Sequence, residues 1–314
     1  MRVAVTGANG FVGRAVLEAL RDASMDCAPI TRRPCGLPDE RRIGSISGDT
    51  NWKDALAGCD AVIHLAARVH FMREQSAEAT ALYREVNVDG TLSLARQALD
   101  LGIKRLVFVS TAKILGEFST QGRPFKPEDP AAPHGPYASS KAEAEAGLRA
   151  ISAGSDAEIA IVRPPLVYGP GVGGNFRSMM RLIQLGLPLP FGAIDNRRSL
   201  VGADNLASLL VACAAHPDAA GQTFHATDGE DISTTELLKR IAYCMGRADR
   251  LIAIPRPILS ALLRWSGAAA LDHRLCADLQ LDGSSTGKVL DWRPRVELGE
   301  GLRRTVAAFI AQSG

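Results

Sequence analysis

Val3-Ala4-Val5-Thr6-Gly7-Ala8-Asn9-Gly10-Phe11-Val12-Gly13 is the stretch on which the fold turns. It opens as a short apolar run of β-branched and small residues, the signature of a buried strand. It then breaks into glycines that recur every third residue. Arg14–Arg21 follows with apolar residues at helical spacing. Strand, tight turn and helix in that order make a βα unit. In it, Gly7 permits the turn, Gly10 lets the backbone come close to a pyrophosphate, and Gly13 allows the helix to pack closely on the strand. Phosphate oxygens would meet open amides at the helix start. Asn9, Phe11 and Val12 lie in the same loop and are candidate cofactor contacts beside the three glycines.

Outward from this unit the pattern repeats. Apolar runs at Val3–Val5, Cys27–Ile30, Ala61–Leu65, Leu106–Val109, Ile159–Val162 and Thr223–His225 read as buried parallel strands. Helix-period stretches at Arg14–Arg21, Thr80–Asp100, Ser139–Ile151 and Leu206–Ala215 separate them. Alternation of this kind predicts an α/β chain with a Rossmann doubly wound parallel sheet, covered by helices on both faces. The texture changes after Pro164. Tyr168–Gly192 is rich in Gly and Pro around one helix, Asn175–Leu185, and the chain from Ser233 onward is mostly helical. A smaller, mostly helical C-terminal substrate domain is expected over the carboxyl edge of the sheet, where open α/β sheets bind ligands.

The residues after the second strand report on the cofactor's ribose. A carboxylate there suits a free 2′-hydroxyl, and Arg suits a 2′-phosphate. The chain has Thr31-Arg32-Arg33 and no carboxylate before Asp39. This favours NADP(H), with Arg32 on the phosphate and NAD(H) as the alternative. Asp49 in Gly48-Asp49 is a further candidate, beside the adenine.

Pro136-Tyr137-Ala138-Ser139-Ser140-Lys141 opens a helix. Tyr137 and Lys141 are four residues apart and share a face. A phenol titrates near ~10, too high for easy proton exchange at neutral pH, and a nearby ammonium would lower it. Such a tyrosine exchanges a proton at a substrate oxygen while hydride moves at the carbon. Ser110 or Thr111, just past the strand Leu106–Val109, would hydrogen-bond the same oxygen, or would simply cap the strand.

Together these residues resemble the extended short-chain dehydrogenase/reductases, the nucleotide-sugar epimerase/dehydratase/reductase group. His64-Leu65-Ala66-Ala67, Asn87-Val88-Asp89-Gly90-Thr91, Arg163-Pro164-Pro165-Leu166-Val167-Tyr168-Gly169-Pro170 and Trp292-Arg293-Pro294 add to the likeness. The resemblance implies a cofactor domain over residues 1–165 plus about 196–225, and a nucleotide-sugar domain over about 166–195 plus 226–314. It implies a triad of Thr111, Tyr137 and Lys141, with Leu65, Ala66, Ala67, Asn87 and Pro164 along the cofactor. Asn175 is implied to contact the substrate's nucleotide and Arg198 its diphosphate, a role that a guanidinium fork fits.

Two departures from the usual pattern bear on the reaction. Ala112-Lys113-Ile114-Leu115-Gly116-Glu117 follows the triad hydroxyl where many members have Val-Tyr-Gly, and Arg198-Ser199-Leu200 stands where many have Arg-Asp-Tyr/Phe. Dehydratases of the group usually place an Asp-Glu pair at the positions of Ala112 and Lys113, so dehydration is not expected. With His64 to His70, these features look most like a subgroup of bacterial surface-polysaccharide synthesis. It includes UDP-N-acetyl-quinovosamine dehydrogenases and UDP-glucose 4-epimerases. The expected activity is reduction of a UDP-4-keto-6-deoxy-N-acetylhexosamine. A UDP-glucose/UDP-N-acetylglucosamine 4-epimerase is the first alternative, and a non-catalytic NADP(H)-binding regulator the second. Lys113 is expected to line the substrate pocket.

Composition bounds the rest. A net charge of +2 in 314 residues gives no argument for nucleic acid. No run approaches the roughly 18–20 apolar residues of a spanning helix, and no signal peptide is expected, because the residues after Met1 already read as a buried strand, Val3–Val5. The six cysteines and six histidines lack metal-ligand spacing. A cytoplasmic protein with reduced thiols is the expectation. The small-residue helices Thr80–Asp100 and Ser139–Ile151 suggest a homodimer seam, because the corresponding pair in relatives often forms one. Ile254–Ala270 is apolar around Arg256, Arg264 and Trp265. It reads as a helix of the small domain, with contact to a membrane surface as the competing reading.

Overall fold

A computed structural model describes residues 1–69, 76–265, 272 and 275–312. His70 and residues 266–270, which belong to stretches singled out above, lie outside the described residues. Strands β1 (Arg2–Thr6), β2 (Asp26–Thr31), β3 (Arg41–Arg42), β4 (Ala61–His64), β5 (Arg105–Val109), β6 (Glu158–Arg163) and β9 (Thr223–His225) form one sheet in the order β3-β2-β1-β4-β5-β6-β9. Every pairing in it is parallel. The order reverses between β1 and β4, the switch point at which such sheets bind dinucleotides. β3 has no apolar run behind it. It exists because Arg41 and Arg42 pair with Ile30 and Thr31, a tertiary signal.

Alternation along the strands sends residues to two faces. Val3, Val5, Ile63, Val107 and Val162 face helices α1 (Phe11–Asp22) and α7 (Ala203–Ala215). Ala4, Ala28, Val62, Phe108 and Ile161 face the short α2 (Lys53–Leu56), α4 (Gly90–Asp100) and α5 (Gly135–Ala153). Both sets are buried, as the near-continuous apolar strands require.

A second, three-stranded sheet runs β10-β8-β7, from Asp231–Ile232, Arg198–Gly202 and Leu166–Tyr168. Residues 198–202, which the sequence reading grouped with the cofactor unit, therefore hydrogen-bond in this smaller sheet, and the chain rejoins the large sheet only with α7. Here the neighbouring strands, not the apolar pattern, decide the assignment. Helices α6 (Gly174–Gln184), α8 (Thr234–Cys244) and the last helix, Leu298–Ala311, close a core around Tyr168, Phe176, Leu200, Ile241 and Phe309. Phe11 and Gly169 join the two parts, since the Phe11 ring packs on this core and lies 3.5 Å from where a Cβ on Gly169 would be.

The expected helix over Thr80–Asp100 is interrupted. Between α3 (Ala77–Arg84) and α4 the chain makes a π turn at Glu85–Asp89, a feature often found beside functional sites.

At the glycine loop the steric demand is plain. A Cβ on Gly13 would lie 2.3 Å from the Gly7 carbonyl oxygen and 2.6 Å from that of Ala8. Both are backbone atoms and cannot swing aside. Gly13→Ala is expected to lower the melting temperature by about 5 °C or more through overpacking, measurable by scanning calorimetry. An unchanged midpoint would show that the loop tolerates the shift.

Candidate active site

Gly7 has φ +68°, where a side chain is strained, and a Cβ there would sit 3.1 Å from the Ala66 amide nitrogen. Glycine is required because the turn presses against the chain leaving β4. Gly10 precedes α1 with no side-chain cap, which leaves the first-turn amides open to an anion. Leu65, Ala66 and Ala67 form the facing wall. This cradle fits a dinucleotide pyrophosphate, and Asn9 is exposed at its lip.

The wall is held by hydrogen bonds that start at Thr6. Its Oγ1 accepts from the amides of Leu65 (3.2 Å) and Ala66 (3.1 Å). It contacts His64 Nδ1 at 2.7 Å, and His64 Nε2 lies 3.0 Å from Thr91 Oγ1. The Thr91 hydroxyl donates to the Asn87 carbonyl (2.7 Å). Burial, reinforced by the nearby Lys141 charge, pushes His64 down to about 3. The ring is neutral and relays one hydrogen bond on each side. Asn87, placed by the π turn, donates to Ser140 Oγ (2.9 Å) and the Arg68 carbonyl and accepts from the Arg68 amide. Its amide engages these partners and it is fully enclosed, so it braces the wall. Ser140 in turn donates to the Tyr137 carbonyl (2.8 Å).

α5 begins at Gly135, with φ +81°, and carries Pro136 in its first turn, where a missing N–H costs nothing. Lys141 is buried on this helix. Its ammonium donates to the Val109 carbonyl at 2.7 Å and lies 4.3 Å from the centre of the Phe108 ring. Tyr137 is half-buried, with the Tyr83 ring edge-on at 6.3 Å. The phenol's shift is upward, opposite in sign to the acidification expected from Lys141. Burial, with Tyr83 adding to it, pushes Tyr137 up to about 12. Burial also pulls Lys141 down to about 7, a shift that Glu145 opposes.

Thr111 lies directly past β5. Its Oγ1 accepts from the Lys113 amide at 3.3 Å and caps the short turn Ala112–Ile114. The Ala112 amide donates to the Pro164 carbonyl at 2.9 Å, which ties the ends of β5 and β6 together. Ser110 Oγ is buried and has no partner among the described residues.

Sequence reasoning missed three features. The first is an ion pair behind Lys141. Arg163 Nε and Nη2 donate to the two oxygens of Glu145 at 3.0 and 2.6 Å, and Nη1 donates to the Pro127 carbonyl. Glu145 stands one helical turn after Lys141, and that spacing was the available signal. The second is the segment 277–282. It bonds the loop after β5 through Ser119 to Asp278 and Phe125 to Gln280, and it bonds the start of β8 through Ser199 to Leu279. Nothing local in its composition announces this. The third is Glu40. The Thr31 hydroxyl and the Cys35 and Gly36 amides all donate to its carboxylate, which holds it below the usual carboxylate range. The loop thus returns a carboxylate to the end of β2, where the sequence reading counted none. Arg32 is exposed beside it, and Asp49 is exposed in the loop after β3.

Of the expected substrate residues, Arg198 is half-buried. One guanidinium nitrogen donates to the Ala277 carbonyl at 2.9 Å, and burial lowers its pKa. Asn175 is exposed in the first turn of α6, and Lys113 is exposed after Thr111. Among the described residues no cluster of side chains could hold a metal ion, and no helix is long and apolar enough to cross a membrane.

A parallel sheet with a glycine cradle at its switch point and a Tyr–Lys helix at its carboxyl edge defines a nicotinamide-dinucleotide oxidoreductase class. Similarity to known proteins narrows it. The model of the NAD dependent epimerase/dehydratase family matches residues 3–226, and the chain belongs to that family. It is 40% identical over 312 residues, 98% of this chain and 95% of the relative, to a UDP-glucose 4-epimerase of Vibrio cholerae. Among solved structures it resembles the dTDP-glucose 4,6-dehydratase DesIV of Streptomyces venezuelae with NAD bound. The TM-score is 0.79, the identity 25%, and the match covers 100% of this chain and 98% of that one. It also resembles the UDP-glucose 4-epimerase of Thermus thermophilus in complex with NAD, with a TM-score of 0.75, 25% identity and 99% of both chains covered.

The buried lysine gives a signed pH dependence. Its folded pKa is depressed from the usual 10.5 to about 7, so between these values the unfolded chain binds the extra proton and stability rises with pH. In urea unfolding of the cofactor-free protein, wild type is expected to gain stability from pH 7 to pH 9 relative to Lys141→Met. Equal pH slopes for the two proteins would show that Lys141 is not held in this way.

Proposed function

We propose that the chain transfers hydride at C4 of a UDP-linked, N-acetylated deoxyhexose, reducing a 4-keto sugar with a nicotinamide dinucleotide. The support is the convergence of Thr111, Tyr137 and Lys141 at the carboxyl edge beside the glycine cradle. When bound, the dinucleotide supplies the hydride. The chain's own residues hold the sugar and manage the proton. The Thr111 hydroxyl and the Tyr137 phenol face the carbonyl oxygen, and Tyr137 gives that oxygen its proton. A phenol with a pKa of about 12 is fully protonated at neutral pH, the form that a reduction needs. Lys141, anchored on Val109, keeps the helix in place. Arg198 and Asn175 take the diphosphate and the nucleotide. Ala112 and Lys113 stand where elimination of water would need acids, so the sugar keeps its hydroxyls.

A second reading, a 4-epimerase that oxidises C4 and returns the hydride to the other face, is favoured by the name of the Vibrio cholerae relative. The solved Thermus thermophilus epimerase is a complex with NAD, and Glu40 at the end of β2 suits a free ribose 2′-hydroxyl better than a phosphate. Arg32 and Arg33 support NADP(H).

Supplying NADPH or NADH with UDP-4-keto-6-deoxy-N-acetylglucosamine is expected to bleach the nicotinamide absorbance. A C4 epimer of UDP-glucose or UDP-N-acetylglucosamine formed with catalytic NAD, and no bleaching, would replace this reading by the second. Tyr137→Phe is expected to lose about 10²–10⁴-fold in turnover, the usual worth of a positioned acid, while titration calorimetry finds cofactor binding unchanged. Near-normal turnover would remove Tyr137 from the mechanism. Arg32→Asp is expected to shift the kcat/KM ratio away from NADPH by roughly tenfold or more, the worth of one charge-assisted hydrogen bond. An unchanged ratio would make Arg32 a surface charge.

A further inference from the structure

Helix α9 (Arg256–Trp265) is a helix of the small domain, but it buries little of itself. Leu259 is 1% exposed and, with Leu263, packs on Ile194 and Cys276. The other apolar side chains form a second stripe. Ile258 is 55% exposed, Leu262 47% and Trp265 89%. They stand at i, i+4 and i+7, one face of a helix turned to solvent. Single exposed apolar residues need no explanation, but a contiguous stripe does.

Just before the helix, the Ile252 amide donates to the Leu189 carbonyl, and the Leu189 amide donates to that of Arg250, which ties the approach to α9 to the segment after α6. The charges near this face are mostly positive, although Asp272 accepts from the Ser260 hydroxyl of α9. Residues 247–265 contain Arg247, Arg250, Arg256 and Arg264 against a single carboxylate, Asp249, and all five are exposed. In a chain with a net charge of only +2, this is a local concentration of positive charge.

We propose that this exposed face of α9 binds the surface of an anionic phospholipid bilayer. Ile258, Leu262 and Trp265 would enter the headgroup–acyl boundary, and the arginines would pair with lipid phosphates. An apolar stripe flanked by cations and ending in Trp is what such a boundary selects, and the anionic leaflet adds attraction for each Arg near it. A second copy of the chain is a poorer occupant, because a two-fold contact would set these arginines against their own copies. The Ala277 carbonyl on which Arg198 rests directly follows Cys276, which packs on Leu259. The buried face of α9 thus packs on the segment whose carbonyl holds Arg198.

The test is co-sedimentation with sucrose-loaded vesicles, of phosphatidylcholine alone or with about a third phosphatidylglycerol. Wild type is expected to pellet with the anionic vesicles only, to show a blue-shifted Trp emission there, and to be released as salt rises from about 0.1 M to 0.5 M. Arg256→Glu with Arg264→Glu is expected to weaken binding roughly thirtyfold or more. Leu262→Ser with Trp265→Ser is expected to abolish both pelleting and the emission shift. These side chains are exposed, so unchanged melting temperatures should show that the variants fold. Equal partition of wild type and variants, no preference for anionic vesicles, or Trp265-dependent self-association in light scattering without vesicle binding would each overturn the proposal. None of these readouts depends on turnover.

Discussion

The site depends on a buried file of hydrogen bonds that crosses five elements. It runs from Thr6 at the end of β1, through His64 at the end of β4, to Thr91 in the first turn of α4 and Asn87 in the π turn, then to Ser140 and the Tyr137 carbonyl on α5. Each member can be satisfied only if His64 stays neutral, with one ring nitrogen accepting and the other donating. Burial secures that state. The file fixes two things at once. It presses Leu65–Ala67 against the glycine loop, and it sets the first turn of the helix that carries Tyr137 and Lys141. A partly satisfied network would be worse than an apolar one, so these residues stand or fall as a group.

A second constraint acts behind the lysine. Arg163 and Glu145 are both buried and share two hydrogen bonds. Such a pair is weak evidence for stability, because desolvation offsets much of the attraction. Its consequence here is geometric and electrostatic. Glu145 supplies the negative charge that opposes the burial of Lys141, and the Arg163 fork holds that carboxylate in place. Arg163 is also the last residue of β6, directly before Pro164, whose carbonyl orders the turn carrying Thr111. The end of β5, the lysine and the neighbouring strand are thus one braced unit.

Much of this was legible in the sequence because it is local. Glycines at every third position demand a close backbone approach, and a Cβ at Gly7 or Gly13 would lie 3.1 or 2.3 Å from backbone atoms. Apolar runs alternating with helix-period stretches dictate a parallel sheet. What was not legible is what distant residues do to one another. β3 exists only through its pairing with β2. Arg198–Gly202 sits in the smaller sheet because β7 and β10 flank it. Segment 277–282 has no local pattern, yet it joins the loop after β5 to β8. The same limit explains the tyrosine. Four-residue spacing places a lysine on the same helix face, but whether its ammonium acts on the phenol depends on what else it meets, and the Val109 carbonyl takes it.

Glu40 shows how such non-local returns bear on chemistry. Reading along the chain, the end of β2 offers arginines and no acid. In space the loop closes so that Thr31, Cys35 and Gly36 present their donors to one carboxylate. The Cys35 thiol adds a fourth donor. These partners stand four to nine residues from Glu40 along the chain, so residue types read in order show the arginines, while only the closed loop shows which charge is held in place.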